Sequence, residues 1–283
     1  MSGLREFIER HPRLAVLTGA GVSTNSGIPD YRDEHGEWKR ARPVEFRPFM
    51  TKVEVRQRYW ARSTVGWPII AQAKPNEAHR ALAQLESLGF VELLITQNVD
   101  GLHVAAGSRK VIDLHGRLDV VLCTHCAHTL PRAELQERLL ADNPAWAEIP
   151  ASVAPDGDVD IERDFSQFIV PDCRRCGGIL KPDVVFFGEP VPRDRVALAF
   201  EGVAKADALL VVGSSLMVYS GFRFVEAAAA AGKPIAAVNL GRTRADHLFA
   251  LKISAPADRV LAEASLAFQP GGSGSRVSQS NFV

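Results

Sequence analysis

Four cysteines in two close pairs, Cys123-Thr-His-Cys126 and Cys173-Arg-Arg-Cys176, carry the plainest chemistry in the chain. Two Cys-x-x-Cys knuckles supply the four soft thiolate ligands that a tetrahedral zinc ion takes. A full set of four leaves no open coordination position, so one structural Zn2+ is expected rather than a catalytic one. His125 and His128 are weaker ligand choices beside it. A redox role is disfavoured because neither pair opens a helix after a strand. The competing reading is two unrelated pairs of free thiols.

A second constellation lies at Gly19–Asp33, Gly-Ala-Gly-Val-Ser-Thr-Asn-Ser-Gly-Ile-Pro-Asp-Tyr-Arg-Asp, directly after the apolar run Leu14–Leu17. Two glycines one residue apart permit a sharp strand-to-helix turn of the kind that holds a dinucleotide pyrophosphate. The ordinary fingerprint is broken, however. Thr24 stands where a third glycine belongs, and Gly27-Ile28-Pro29 limits the helix to a turn or so. Ser23 is expected to cap that short helix, and Ile28–Asp33 to hang as a loop over the ligand. A generic glycine-rich turn is the bland alternative.

Other strand ends favour a ligand. Gln97-Asn98-Val99-Asp100 groups amides with a carboxylate, suited to hydroxyls and a carboxamide. Gly213-Ser214-Ser215 offers hydroxyls and backbone N–H groups, and Asn239-Leu240 follows what reads as the last strand. Four polar strand ends in one chain argue for one ligand of dinucleotide size. His115, after Val111-Ile112 and before Gly116, faces the same edge; a neutral imidazole there is a candidate general base, against the alternative of a structural histidine.

The elements that must position these residues alternate. Short apolar runs at Leu14–Leu17, Val91–Ile95, Val111-Ile112, Asp183–Phe187, Ala208–Val212 and Pro234–Val238 suit strands buried on both faces. Helical patterns at Asn76–Leu88, Arg193–Lys205 and Gly221–Ala231 lie between some of them. The expected fold is α/β: a doubly wound parallel sheet of Rossmann-like type with a smaller zinc-binding and helical domain inserted. The sheet domain is expected from 1–33, 76–119 and 181–268. The inserts are 34–75, rich in arginine and aromatics such as Trp38 and Trp60, and 120–180, with the Pro-rich connection Ala154–Val159. The stretch 269–283 reads as a flexible tail.

Composition narrows the class. Of 283 residues, 46% are hydrophobic and 23% charged, with 33 basic residues balancing 33 acidic ones. That balance gives no electrostatic reason for a nucleic-acid or membrane partner. No apolar run approaches the ~20 residues of a bilayer span, and the first residues do not form a signal peptide. A cytoplasmic, monomeric protein is expected.

Together these pieces resemble the sirtuins, the NAD-dependent protein deacylases. The resemblance rests on Gly19–Arg32, Thr96-Gln-Asn-Val-Asp-Gly-Leu-His103, Leu114-His-Gly116, the cysteine knuckles, Lys181–Glu189, Gly213-Ser-Ser-Leu216 and Asn239, in family order over about 14–265. Arg56–Arg62, Ala154–Val159 and Val211–Gly221 look like the class II branch. Tyr31 stands where many sirtuins carry Phe.

The resemblance implies a transfer. The acyl-lysine oxygen attacks the ribose carbon as nicotinamide leaves, His115 deprotonates a ribose hydroxyl, and the acyl group ends on ADP-ribose. Asn98 and Arg32 are the other implied catalytic residues. The implied cofactor surface comprises Gly19, Ala20, Gly21, Ser23, Thr24, Ile28, Pro29, Asp30, Tyr31, Arg32, Gln97, Asn98, Val99, Asp100, His115, Gly213, Ser214, Ser215, Asn239, Leu240, Gly241 and Ala257. Val184 and Phe186 would meet an acyl-lysine peptide by strand addition, and Val218 with Tyr219 would line the acyl channel. Tyr59-x-x-Arg62 resembles the pair with which class III sirtuins hold acidic acyl groups; a solvated helix arginine is the alternative. Protein mono-ADP-ribosylation from the same site is the competing activity.

Overall fold

A computed structural model describes residues 2–268 except 34, 36, 38, 40–43, 148, 150–156, 160 and 162. Trp38, the 154–156 part of the Pro-rich connection and the tail at 269–283 lie outside the described residues.

The chain opens with helix α1 (Ser2–Arg10), then strand β1 (Leu14–Thr18). Helices α2 (Phe46–Thr51), α3 (Val53–Gln72) and α4 (Glu77–Ser87) precede β2 (Val91–Thr96). Next come α5 (Leu102–Ala105), β3 (Val111–Asp113), β4 (Gly116–Cys123), β5 (Thr129–Pro131), α6 (Arg132–Asp142) and β6 (Leu180–Val184). The remainder is α7 (Arg193–Lys205), β7 (Ala208–Val212), α8 (Tyr219–Ala230), β8 (Ile235–Val238), β9 (Leu251–Ile253) and α9 (Ala257–Leu266).

Six parallel strands form one sheet in the order β3-β2-β1-β7-β8-β9. The order runs outward in both directions from the β1/β7 pair, so a crevice opens beyond the carboxyl ends of those two strands. Every residue of β1, β7 and β8 is buried, as their apolar runs require. Alternation divides each strand between two layers. Leu14 and Val16 pack with Leu4, Ile8, Leu82, Leu85 and Leu261 of α1, α4 and α9; Ala15 and Leu17 pack with Val203, Phe224 and Val225 of α7 and α8.

A second, antiparallel sheet has the order β5-β4-β6. It shares one core with the helices of the earlier insert: Phe49, Tyr59, Trp60 and Ile70 pack with Leu118, Leu130, Leu135 and Leu180. Trp60 is fully buried and its indole N–H reaches the Leu180 carbonyl at 3.3 Å.

Helix α7 spans the residues its pattern predicts, and α4 starts one residue after Asn76, whose side chain caps it by accepting from the Ala78 N–H at 2.9 Å. Helix α8 starts two residues earlier than its pattern suggests, which places Ser220 in its first turn. Two readings need correction. The Asp183–Phe187 run does not enter the parallel sheet; Leu180–Val184 pairs antiparallel with β4, with Val184 opposite Gly116. An apolar run states burial but not which partner buries it. Asn239 does not follow the last strand, because the three-residue β9 adds a further edge beside β8. Helices α1 and α9, which complete one face of the sheet, went unread.

Gly116 joins the two sheets. Its φ is +82°, and a Cβ there would lie 1.9 Å from the Asp183 carbonyl oxygen. Gly116→Ala is expected to destabilise the protein by about 2–4 kcal/mol and to displace the neighbouring His115. Urea unfolding measures the first effect and steady-state kinetics the second.

Candidate active site

Beyond the ends of β1 and β7 lies a cavity of about 740 Å3, within the range of a cofactor site. Its walls include Asn239, Leu240, Gly241 and Ala257, together with Tyr59, Val184, Phe186 and Val218. They also include Gly19, Ala20, Gly21, Ser23, Thr24, Ile28, Asp30, Tyr31, Arg32, Gln97, Asn98, Val99, Asp100, His115, Gly213, Ser214 and Ser215. Pro29 and Arg62 are not in that lining. The strand ends expected to share a ligand therefore do share one cavity.

The glycines at the end of β1 serve a purpose the sequence reading did not assign. A Cβ on Gly19 would lie 2.8 Å from Ser214 Cβ, and one on Gly21 would lie 2.9 Å from the Gly213 carbonyl oxygen. The Gly21 N–H donates to that same carbonyl at 2.9 Å. Both glycines let the turns after β1 and β7 interlock, and the crevice forms over them. Ser23 likewise departs from its expected role. It stands before a single 3-10 turn, Thr24–Ser26, but its hydroxyl caps nothing. It donates to Asp100 Oδ2 at 2.7 Å and accepts from Asn98 Nδ2 at 3.0 Å. Asp100 Oδ1 accepts the Leu102 N–H at 2.9 Å. Asn98 and Asp100 are thus held rigidly at the end of β2. Gln97 bridges to β7 by donating to Ser214 Oγ at 2.8 Å.

His115 is fixed at both ring nitrogens. Nδ1 lies 3.0 Å from the Gln97 carbonyl oxygen and Nε2 lies 2.7 Å from Ser220 Oγ. A carbonyl only accepts, so Nδ1 carries the proton and Nε2 offers its lone pair to the serine hydroxyl. Burial pushes the His115 pKa down to about 4; the Gln97 bond opposes this, while the Arg223 and Arg195 charges add to it. At neutral pH the ring is therefore a neutral base. Two further histidines lie behind the site. Burial lowers His79, which is 3.4 Å from Ser23 Oγ, to about 4 against the opposing charge of Asp100. Burial also holds His103, bonded to Thr18 at 2.9 Å, well below the ordinary histidine value.

These directions fix a pH profile. In the unfolded chain the three rings titrate near 6.5; in the folded protein His79 and His115 stay neutral down to about pH 4, and His103 is likewise held well below its ordinary value. Between those values the unfolded state binds more protons, so stability is full above pH 6.5 and is lost as pH falls towards 4. The acid limb of kcat/KM, which reports the free enzyme, is expected near 4 and not near 6.5. A limb at 6.5 in a protein shown by circular dichroism to be folded would contradict a buried neutral base.

Four residues expected to meet substrate, Tyr59, Val184, Phe186 and Val218, lie in the cavity wall. Phe186 is an inner wall, packed edge-on to Tyr59 at 5.2 Å and to Phe49 at 5.1 Å. Its N–H donates to Glu189 Oε2 at 2.9 Å, and the Val185 N–H donates to the His115 carbonyl at 2.8 Å. Both N–H groups are thereby engaged within the chain. Buried Lys181 pairs with Glu189 at 3.0 Å and braces this segment. Arg62 forms an ion pair with Asp158 at 2.7 Å. Sequence reasoning missed Ser220, Lys181, Asp158 and the left-handed backbone of Leu216 (φ +58°), which turns the chain between Ser215 and α8.

At the far side of the small sheet the four cysteine sulfurs lie within 4.8 Å of one another. Cys123 and Cys176 are separated by 3.5 Å, and Cys126 and Cys173 by 3.8 Å. Zinc–sulfur bonds of about 2.3 Å require tetrahedral edges of about 3.8 Å, so the donor set fits zinc. The Cys126 N–H points at Cys123 Sγ at 3.5 Å, and a Cβ on Gly178 would intrude to 3.0 Å of that sulfur. Neither His125 nor His128 belongs to the cluster.

A six-stranded Rossmann-type sheet with a dinucleotide-sized crevice at its switch point, and a neutral histidine in the wall of that crevice, defines a dinucleotide-dependent enzyme class. The Sir2 family model matches residues 19–220, and the chain belongs to the Sir2 family. It is 63% identical over 260 residues to an NAD-dependent protein deacetylase of Xanthomonas campestris, covering 92% of this chain and 89% of the relative. It is 49% identical over 262 residues to the mitochondrial NAD-dependent protein lipoamidase sirtuin-4 of Bos taurus, covering 91% and 83%. A solved structure of Sir2 with a p53 peptide and NAD+ superimposes with a TM-score of 0.75 at 31% identity, covering 93% of this chain and 96% of that one.

Proposed function

We propose that this protein is an NAD-dependent protein lysine deacylase. The observation that carries the reading is His115, a neutral base in the cavity wall with its proton fixed on Nδ1 and its Nε2 lone pair held by the Ser220 hydroxyl. NAD, when bound, supplies an electrophilic ribose carbon and nicotinamide as its leaving group. The chain supplies the rest. Asn98 and Asp100, locked by Ser23, present an amide and a carboxylate to sugar hydroxyls. Tyr31 and Arg32 lie in the wall of the same cavity. His115 takes the hydroxyl proton on Nε2, displacing the Ser220 hydroxyl that occupies that lone pair in the resting site. Tyr59, Phe186 and Val218 in the cavity wall give the acyl-lysine an apolar surface to pack on. The four thiolates would hold a structural zinc that ties the end of β4 to the segment entering β6.

The likeness to sirtuin-4 and the Val211–Gly221 segment support placement in the class II branch. Intact mass spectrometry of an acetyl-lysine peptide incubated with NAD tests the reading. The peptide is expected to lose the mass of its acyl group as O-acyl-ADP-ribose appears. A peptide that instead gains the mass of ADP-ribose would establish transfer to protein and overturn it.

A further inference from the structure

Ser220 is bound to the base in the manner of an activated nucleophile. Its hydroxyl lies 2.7 Å from His115 Nε2, and His115 Nδ1 lies 3.0 Å from the Gln97 carbonyl oxygen. The serine proton therefore points at a ring lone pair, and a third group fixes the tautomer of that ring. Nucleophile, base and orienting acceptor, in that order, are the arrangement by which a serine attacks a carbonyl carbon. Ser220 and His115 both line the cavity, so a bound ligand can reach the pair. Backbone geometry brings the two together. Ser220 is in the first turn of α8, and a Cβ on its neighbour Gly221 would lie 2.4 Å from Gln97 Oε1. The first-turn N–H groups of Tyr219 and Ser220 find no acceptor among the described residues. They stand at the positive end of a 12-residue helix, where a developing oxyanion is stabilised. Deacylation uses Ser220 only as the resting occupant of the Nε2 lone pair.

We propose that Ser220 is an acyl acceptor, and that with His115 it cleaves the ester that deacylation leaves on ADP-ribose. The proposal rests on the deacylase reading and adds a second, hydrolytic activity to the same site. In that reading Nε2 takes the proton of the ribose hydroxyl whose oxygen becomes the ester oxygen. The acyl carbon is one bond from that oxygen, and Ser220 Oγ is the chain's own hydroxyl on the same nitrogen. The step is an acyl transfer without redox change. Ser220 Oγ bonds to the acyl carbon as its proton passes to Nε2. The bond from acyl carbon to ribose oxygen breaks, and Nε2 returns the proton to that oxygen. Water then repeats the exchange on the acyl-serine, freeing a carboxylic acid and restoring the hydroxyl. Each ester and each water consumed give one ADP-ribose and one carboxylic acid.

The test supplies the full-length protein with purified O-acetyl-ADP-ribose and with neither NAD nor peptide. Acetate release is expected to exceed the protein-free rate. Acid-quenched samples are expected to carry one acetyl group, located at Ser220 by fragmentation mass spectrometry. Ser220→Ala should lower acetate release by about 10^2-fold or more and carry no acetyl group. Ser220→Cys should hold the acetyl group as a thioester. Circular dichroism and calorimetric ADP-ribose affinity check that each variant folds and binds. If Ser220→Ala does not fold, acetylation of the parent and of Ser220→Cys decides alone. The inference is overturned if acetate release does not exceed the protein-free rate, or if folded Ser220→Ala matches the parent. It is also overturned if neither the parent nor Ser220→Cys carries the acetyl group. An acetyl-lysine peptide with NAD is run in parallel; absence of deacylated peptide there removes the deacylase reading itself, whatever becomes of the ester.

Discussion

Replacing His115 is expected to lower kcat at neutral pH by about 10^2- to 10^4-fold, the usual contribution of a positioned general base, while NAD still binds. His115→Asn is the sharper variant. Its amide N–H can still donate to the Gln97 carbonyl, which His115 Nδ1 holds at 3.0 Å, but no group of it accepts a proton near neutral pH. The surroundings of the cofactor end are unaltered, because Ser23, Asn98 and Asp100 are bound to one another and not to the imidazole. Calorimetric NAD affinity within a few-fold of the parent, alongside the kinetic loss, is the expected pair of results. A loss of affinity that accounts for the whole kinetic effect would make His115 a structural residue of the crevice.

Removing one zinc ligand should have the largest effect on the fold. Cys123 and Cys173 are buried on the small-domain core, and Cys126 and Cys176 are exposed at its edge. Cys123 ends β4, and Cys173 and Cys176 precede β6, so the ion ties the two strands whose far ends hold Gly116 and Val184 at the active site. Cys173→Ser is expected to release zinc and to cost several kcal/mol, as metal binding at such sites is largely folding free energy. Zinc content by atomic absorption and the thermal midpoint should fall together, and deacylation with them. One zinc per chain retained at an unchanged midpoint would contradict a structural role for the cluster.

Much of this was legible in the residues, for physical reasons. Thiolate pairs can be read because coordination geometry fixes their spacing, and strands buried on both faces because burial demands continuous apolar runs. The polar residues that end β1, β2, β7 and β8 meet because a parallel sheet sets all its carboxyl ends on one edge. What stayed hidden depends on partners distant in sequence. Ser220 reads as an ordinary first-turn hydroxyl until α8 brings it to a histidine 105 residues earlier. Arg62 reads as an acyl clamp or a solvated helix arginine, and neither reading shows its ion pair with Asp158, distant in sequence. Gly19 and Gly21 read as a phosphate cradle, yet their missing Cβ atoms make room for the Gly213-Ser214 turn. The run Asp183–Phe187 reads as a buried strand, yet only Val184 and Phe186 are buried, Phe187 is exposed, and the strand that pairs with Gly116–Cys123 ends at Val184.

The broken dinucleotide fingerprint separates two outcomes for the cofactor: a hydride borrowed and returned, or a glycosidic bond consumed. Parallel measurement of nicotinamide, deacylated peptide and absorbance of reduced cofactor, with and without an acyl-lysine peptide, distinguishes them directly. The account predicts one nicotinamide released per peptide deacylated, near-silence without the acyl peptide and no reduced cofactor. Reduced cofactor, or nicotinamide release indifferent to the acyl group, would contradict it.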